Sequence, residues 1–304
     1  MTERIFINEV GLRDGLQNQP KIVSTENKLT IFHALAAAGL KAFEVTSFVS
    51  PKAVPQLADA ADLLKSLPDD PQFRLTCLVP NMRGYERAVS AGARAIAVVL
   101  SATNTLNRRN INMSLDDASA VCEQVVRKAK SDGLFARAYI AAAFACPFEG
   151  QTPRKIVFEL LDQMTTAGAD ELAIADTIGA ANPKQVRDVF AAAIASYGAT
   201  RTVAHFHDTR GLASALAWAA LDSGVRRFDS SIAGLGGCPF APGASGNVAT
   251  EDLNFLFRDL GFETGIDFDK LFDAIDLVEN LLGPGHGGRI LPWYRTQRRN
   301  AVAE

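Results

Sequence analysis

Short runs of β-branched or apolar residues alternate with longer stretches of helical pattern from about residue 5 to about residue 230. Glycines at 39, 92, 133, 168, 198 and 224 stand where the helical stretches stop, the position at which a left-handed cap is needed. The pattern predicts strands at Ile5 to Val10, Ala42 to Thr46, Arg74 to Leu78, Ala95 to Leu100, Ala136 to Ala143, Glu171 to Ala175, Thr202 to Phe206 and Arg227 to Ser231. Helix starts fall between them: Asn81 as a cap, Ser114 with Asp117 as a capping box, and Thr152-Pro153 and Asn182-Pro183 as a cap followed by a first-turn proline. Strands that read as nearly continuous apolar runs are covered on both faces, so eight βα units in series predict an α/β fold, a closed parallel (β/α)8 barrel. An open doubly wound sheet is the alternative.

After the eighth strand the pattern predicts two more helices, roughly Thr250 to Leu260 and Asp267 to Leu282. Residues 1–282 are therefore expected to form one barrel domain with C-terminal helices. Residues 283–304 begin GPGHGGRILPWYRTQRR, a glycine-rich tail made basic by Arg289, Arg295, Arg298 and Arg299. The glycines predict a mobile, solvated or oligomer-contacting segment; the arginines offer a second role, holding the phosphates of a ligand.

Composition narrows the class. A chain of 304 residues is long enough for a sizeable single core. Its net charge of −3, with acids and bases interspersed, lacks the basic footprint of a nucleic-acid binder, and no apolar run reaches the roughly 18 residues of a membrane span. The four cysteines show no CxxC spacing, which fits free thiols in a reducing compartment. The first residues run at once into a strand pattern, leaving no stretch for a targeting peptide, so a cytoplasmic protein acting on a small molecule is expected.

Candidate chemistry collects at strand ends. In a barrel, polar residues at the C-termini of the strands meet at one face, and this chain supplies Asp14 after the first strand, Glu44 on the second, Asp176 after the sixth, and His205 and His207 at the seventh. Two histidines two apart on an extended segment point the same way, and with Asp14 they make a divalent-metal site. Imidazole and oxygen ligands suit Mg, Mn or Co and permit Zn. Asn247 offers a further carbonyl oxygen. Arg13, beside Asp14, supplies a cation for a developing oxyanion. Glu44 is costly inside an apolar barrel unless paired, which favours a role in a network or in catalysis. Asp176 either joins the site or caps the following turn. The loop SSIAGLGGCPFAPGASGNVATEDL holds Cys238 among glycines and prolines, where the sulfur is placed rather than packed; Cys77, Cys122 and Cys146 read as core residues.

Taken in order, EVGLRDGLQN, EVTSFVSPKAVPQ, CPFEG, DTIG, HFHDT and AGLGGCPFAPGASGNVATEDL resemble the 3-hydroxy-3-methylglutaryl-CoA lyase family of metallolyase barrels. The Arg-Asp and His-x-His elements are shared with related synthases, aldolases and carboxyltransferase domains, whereas the GGCP loop is the more specific mark. The resemblance implies a divalent-metal cofactor held by Asp14, His205, His207 and Asn247, with Arg13 facing the thioester oxygen and Cys238 as catalytic acid or base. Glu44, Asp176 and His205 would complete the catalytic set, with Glu9 and Gln17 nearby. The implied reaction is a retro-Claisen cleavage of an acyl-CoA thioester to acetoacetate and acetyl-CoA, in a homo-oligomer, a dimer, that uses neither nucleic acid nor membrane; leucine degradation is the usual setting. Arg289 and its neighbours in the tail would contact coenzyme A.

The chain has Ala173, Ala175, Phe206 and Arg210 where well-known members carry serine, glycine, cysteine and tyrosine. Those differences leave room for a paralogue acting on another 3-hydroxyacyl-CoA such as citramalyl-CoA, or for a metal-dependent aldolase of the same superfamily.

Overall fold

The computed structural model describes residues 3–237 and 246–303. Eight strands close into a parallel barrel in the order β1 (Phe6–Glu9), β2 (Ala42–Ser47), β3 (Arg74–Leu78), β4 (Ala95–Ser101), β5 (Phe135–Ala141), β8 (Glu171–Asp176), β9 (Thr202–Phe206) and β10 (Arg227–Ser230), and β1 pairs with β10 to complete the ring. The two remaining strands, β6 (Ala145–Cys146) and β7 (Gly150–Gln151), form a small antiparallel hairpin on the loop after β5. The expected strands all form, within one or two residues at their ends.

Helices α1 (Thr25–Ala37), α2 (Ala60–Ser66) and α3 (Met82–Ser90) follow the first three strands, and α4 (Asn104–Ile111) and α5 (Leu115–Ser131) follow β4. Then come α6 (Arg154–Ala167), α7 (Pro183–Tyr197), α8 (Ala213–Asp222), α9 (Thr250–Asp259), α10 (Phe268–Leu282) and α11 (Leu291–Ala303). Asn81 accepts from Gly84 N, and Asn182 and Gln185 form a full capping box ahead of Pro183. Ser114 accepts from Asp117 N, but its hydroxyl also donates to the Asp117 carboxylate, so the reciprocal half of that box is absent. Thr152 caps nothing: its hydroxyl donates to the Ala142 carbonyl, and α6 starts two residues later. Among the described residues no helix is long and apolar enough to cross a membrane.

The main apolar core lies between strands and helices, built from residues such as Phe32, Phe43, Phe190 and Phe257. Inside the barrel the apolar filling is a small plug of Ala97, Tyr139, Ala173 and Val203, with Val99 against it. Charged groups share the interior. The Arg13 Nε donates to Glu44, whose other oxygen accepts from the Tyr139 hydroxyl; Arg137 donates to that hydroxyl, to Asp229 and to Glu171. A polar chain thus runs down the barrel axis, each member paired, which is the condition for burying such groups.

The tail departs from expectation. Beyond its glycines it forms α11, whose Tyr294 ring stacks on Phe272 of α10 at 3.7 Å between centroids. Two of its arginines are engaged on α10: Arg295 with Asp276 and Glu279, and Arg298 with Asp273. The glycines are confined to the link before the helix, so the helical pattern from Leu291 outweighs them.

Candidate active site

The loop from β1 sets the first two functional residues. Gly11–Gly15 winds into a single π-helical turn, which presents the adjacent Arg13 and Asp14 toward the barrel mouth. Glu9 supports the turn from below: one carboxylate oxygen accepts from Gly11 N at 2.8 Å and Ile232 N at 2.9 Å, the other from the Thr250 hydroxyl at 2.6 Å. A Cβ at Gly11 would stand 2.6 Å from that carboxylate, so glycine is required there. Burial pushes Glu9 up to about 7 against these three hydrogen bonds.

On β9 the period of two holds. Phe206 turns outward onto Phe190 of α7, while His205 and His207 lie side by side with ring centroids 5.3 Å apart. Possible ligand atoms of Asp14, His205 and His207 all lie within 4.8 Å of one another, and all three residues are buried. Asn247 is brought beside them by an isolated bridge to His207. Its amide donates to Asp14 Oδ2 at 2.8 Å and to the Leu235 carbonyl at 3.2 Å. The approach of its loop depends on Gly246, where a Cβ would sit 2.3 Å from the Gly234 carbonyl oxygen.

The donor set fits a divalent cation. His207 Nε2 faces Asp14 Oδ2 at 3.8 Å, and Asn247 Oδ1 is buried without a hydrogen-bond partner, so an imidazole nitrogen and an amide oxygen both offer electron pairs beside the carboxylate. Burial pushes His207 down to about 4, with His205 and Arg13 acting in the same direction against Asp14, so its imidazole is neutral and able to ligate. Burial would raise Asp14, but Arg13, His205 and His207 overcome it and hold the carboxylate ionised, below its ordinary value. Two imidazoles, one carboxylate and one amide oxygen suit Mg, Mn or Co and permit Zn.

Arg13 is fixed by Glu44 through Nε and by Asp14 through Nη1, both at 2.5 Å. Gln17 also donates to Asp14, at 2.7 Å. Glu44, alone an unpaired charge in the barrel, is therefore held between Arg13 and Tyr139, which answers the cost its position implied. Behind the histidines, Asp229 sits 3.2 Å from His205 Nδ1.

Other expected residues take different places. Asp176 caps the turn after β8, accepting from Ala180 N and Ala181 N, and it stands outside the ligand cluster. Burial raises its pKa against those two bonds. Arg210 braces the same turn by donating to the Ile178 and Gly179 carbonyls. Arg289 is three-quarters exposed and lies 3.6 Å from Asp208, held in position because Asp252 accepts from Arg289 N and Ile290 N. Cys238 lies outside the described residues; Gly237, just before it, accepts a hydrogen bond from Asn18 beside the site. Cys77 and Cys122 are buried, as expected of core thiols, and Cys146 accepts from the Thr103 hydroxyl.

Sequence reasoning missed Tyr139, Arg137, Glu171 and Asp229. Their signal was available in β5: in Phe-Ala-Arg-Ala-Tyr-Ile-Ala, the polar residues recur every second position, marking an inward face that is charged rather than apolar.

Residues 4–278 match the HMGL-like family model. The chain belongs to the HMGL-like family. Within it, the chain is 42% identical over 281 residues to the hydroxymethylglutaryl-CoA lyase YngG of Bacillus subtilis, covering 92% of this chain and 94% of that protein. It is 40% identical over 278 residues to the mitochondrial hydroxymethylglutaryl-CoA lyase of Homo sapiens, covering 91% of this chain and 86% of the relative. Among solved structures, the HMG-CoA lyase of Acinetobacter baumannii in complex with coenzyme A and 3-methylmalate superposes with a TM-score of 0.91 at 36% identity over 94% of each chain. The match to the HMGL-like family model thus covers nearly all of the sequence and ends within α10, before α11.

Proposed function

We propose that this HMGL-like chain is a divalent-metal-dependent hydroxymethylglutaryl-CoA lyase that cleaves 3-hydroxy-3-methylglutaryl-CoA to acetoacetate and acetyl-CoA. The observation that carries the reading is the buried Asp14, His205 and His207 cluster with Arg13 fixed beside it. The similarity to lyases along nine-tenths of the chain supports the substrate class.

A divalent cation bound by Asp14, His205, His207 and Asn247 would acidify the substrate's tertiary hydroxyl, for which Mg or Mn is the favoured ion. Loss of that hydroxyl proton lets the oxygen electrons form the ketone of acetoacetate as the C2–C3 bond breaks. The bonding pair moves onto the thioester as an enolate, which takes a proton at C2 to give acetyl-CoA. Arg13 supplies a fixed positive partner for the enolate oxygen, and its Nη2 has no protein acceptor among the described residues. Glu44 and Tyr139 set the guanidinium plane, so little reorganisation is needed as charge develops. Cys238 delivers the proton to C2 and the proton lost from the hydroxyl restores the thiol, so none is gained or lost over the reaction; this role rests on the glycine-loop setting and the GGCP resemblance. Gln17 orients Asp14, and Asp176 with Arg210 shapes the loop over the mouth. Arg289 at the rim is the tail residue offered for coenzyme A. Three buried free thiols support a reducing, cytoplasmic setting.

The test is a panel of 3-hydroxyacyl-CoA thioesters assayed after chelation, with and without added Mg or Mn, both products being identified. Acetoacetate plus acetyl-CoA from the methylglutaryl thioester, lost on chelation and restored by metal, is expected. Preferential release of pyruvate from citramalyl-CoA would reassign the acyl specificity, and Ala173 beneath the mouth would be the residue to revert first. Full turnover by metal-stripped protein would overturn the metal assignment.

A further inference from the structure

At the opposite end of the barrel from the candidate active site lies a cavity of about 840 Å³. That size is within the range of small-molecule sites. Among the described residues its walls carry seven basic side chains and two acidic ones, Asp69 and Asp70. Asp69 is paired with Arg94, and Asp70 is engaged by Gln72 at the exposed rim.

Deeper in, three arginines converge on one carboxylate. Arg74, Arg137 and Arg227 all reach Glu171, at 2.8, 2.6 and 3.3 Å, while Arg137 alone has a second carboxylate, Asp229. Asp229 is itself shared with His205. Positive charge is therefore in excess around Glu171. Burial pulls the Arg74 guanidinium below its ordinary value despite Glu171, and Arg137 and Arg227 add to the pull.

Arg74 and Arg227 are also built to stay in place. Arg74 lies over the Phe135 ring at 4.7 Å and Arg227 over Phe6 at 4.6 Å, so each planar group is stacked before any ligand arrives. Arg74 Nε is buried and donates to nothing. Two fixed guanidinium groups, each part-exposed, at 26% for the Arg74 side chain and 23% for Arg227, match the oxygen pattern of a phosphate or carboxylate. Pro68, Phe73 and Leu75 line the remaining space and give a ligand body apolar contact.

We propose that this cavity at the N-terminal end of the barrel is a binding site for a small organic oxyanion, with its charged head between Arg74 and Arg227. The shared chemistry of phosphate and carboxylate leaves two sources, which the experiment separates. Inorganic phosphate and succinate are each titrated calorimetrically into the full chain at constant ionic strength, with chloride as the control anion. The same titrations are run on Arg74→Gln, Arg227→Gln and Arg13→Gln, with circular dichroism to check each fold.

Loss of one charge-assisted partner should weaken binding roughly ten- to a hundredfold in Arg74→Gln and in Arg227→Gln. Arg13→Gln, altered at the other end of the barrel, should bind as the unaltered chain does. Because Arg74 and Arg227 come from different strands, one of the two variants suffices if the other fails to fold. The stronger of the two probes identifies the head group. Absence of heat from both probes, equal affinity in all the folded variants, or loss confined to Arg13→Gln would overturn the proposal. None of these outcomes depends on lyase turnover.

Discussion

Asp229 fixes which nitrogen of His205 is available to a metal. Burial would raise this carboxylate, but Arg137 and the contact with His205 hold it well below the usual range, so it is ionised and accepts. The His205 Nδ1 at 3.2 Å must then be the donor, and Nε2 carries the free electron pair. A carboxylate on β10 thereby orients a ligand on β9 without touching the cation itself.

Asp229→Asn keeps the shape and the Arg137 contact but removes the charge that fixes the tautomer. Divalent affinity should fall by roughly 10- to 100-fold. Titration with Mn followed by electron paramagnetic resonance reads this directly, and an unchanged affinity would leave Asp229 a role in scaffolding alone.

Arg13→Lys should not be neutral, because an ammonium cannot engage Glu44 and Asp14 while also presenting a planar donor to the enolate oxygen. The loss should appear mainly in kcat. Steady-state kinetics with unchanged kcat and kcat/KM would remove the argument from geometry.

Cys238→Ala should lower kcat by about 10²- to 10⁴-fold with a much smaller change in substrate affinity, the signature of a lost proton-transfer group. Near-normal turnover by the alanine variant would make the thiol structural. Bound substrate should also slow alkylation of this cysteine.

Glu9 predicts a pH dependence of stability. Its carboxyl is raised to about 7 from an ordinary 4.5, so the folded chain retains a proton that the unfolded chain has released. The resulting stability is present below about 4.5 and is lost as pH rises through about 7. Glu9→Gln mimics the protonated form: its oxygen can accept from Gly11 N and Ile232 N while its amide meets Thr250. Thermal melts between these pH values should fall with rising pH in the unaltered chain and fall less steeply in the variant; parallel slopes would exclude Glu9 as the source.

Most of the barrel was legible because the signals were local. Strand runs such as Thr202–Phe206, the Asn182-Pro183 start and the glycine stops each act over a few residues, and the structure follows them. The His-x-His spacing was legible for the same reason. The π-helical turn at Gly11–Gly15 was hidden, since it depends on Glu9 bridging to Ile232 and Thr250, far away in the chain. Arg289 was singled out for charge, yet its place is set by Asp252 holding the backbone around it. The helix α11 was hidden behind the glycines that precede it, since its seat depends on the aromatic face that Tyr294 presents to Phe272.

The paired charges down the barrel axis also constrain how such a sequence can change over time. Removing Glu44, Arg137, Glu171 or Asp229 singly strands a partner in a dry interior, at roughly 3 to 5 kcal/mol for a broken buried pair, a large fraction of a domain's net stability. Replacing both members by apolar groups of similar volume carries a far smaller penalty. A change at any of these positions is therefore expected to need a matching change in its partner, which for Arg137 and Asp229 lies across the barrel interior on a strand that is not adjacent.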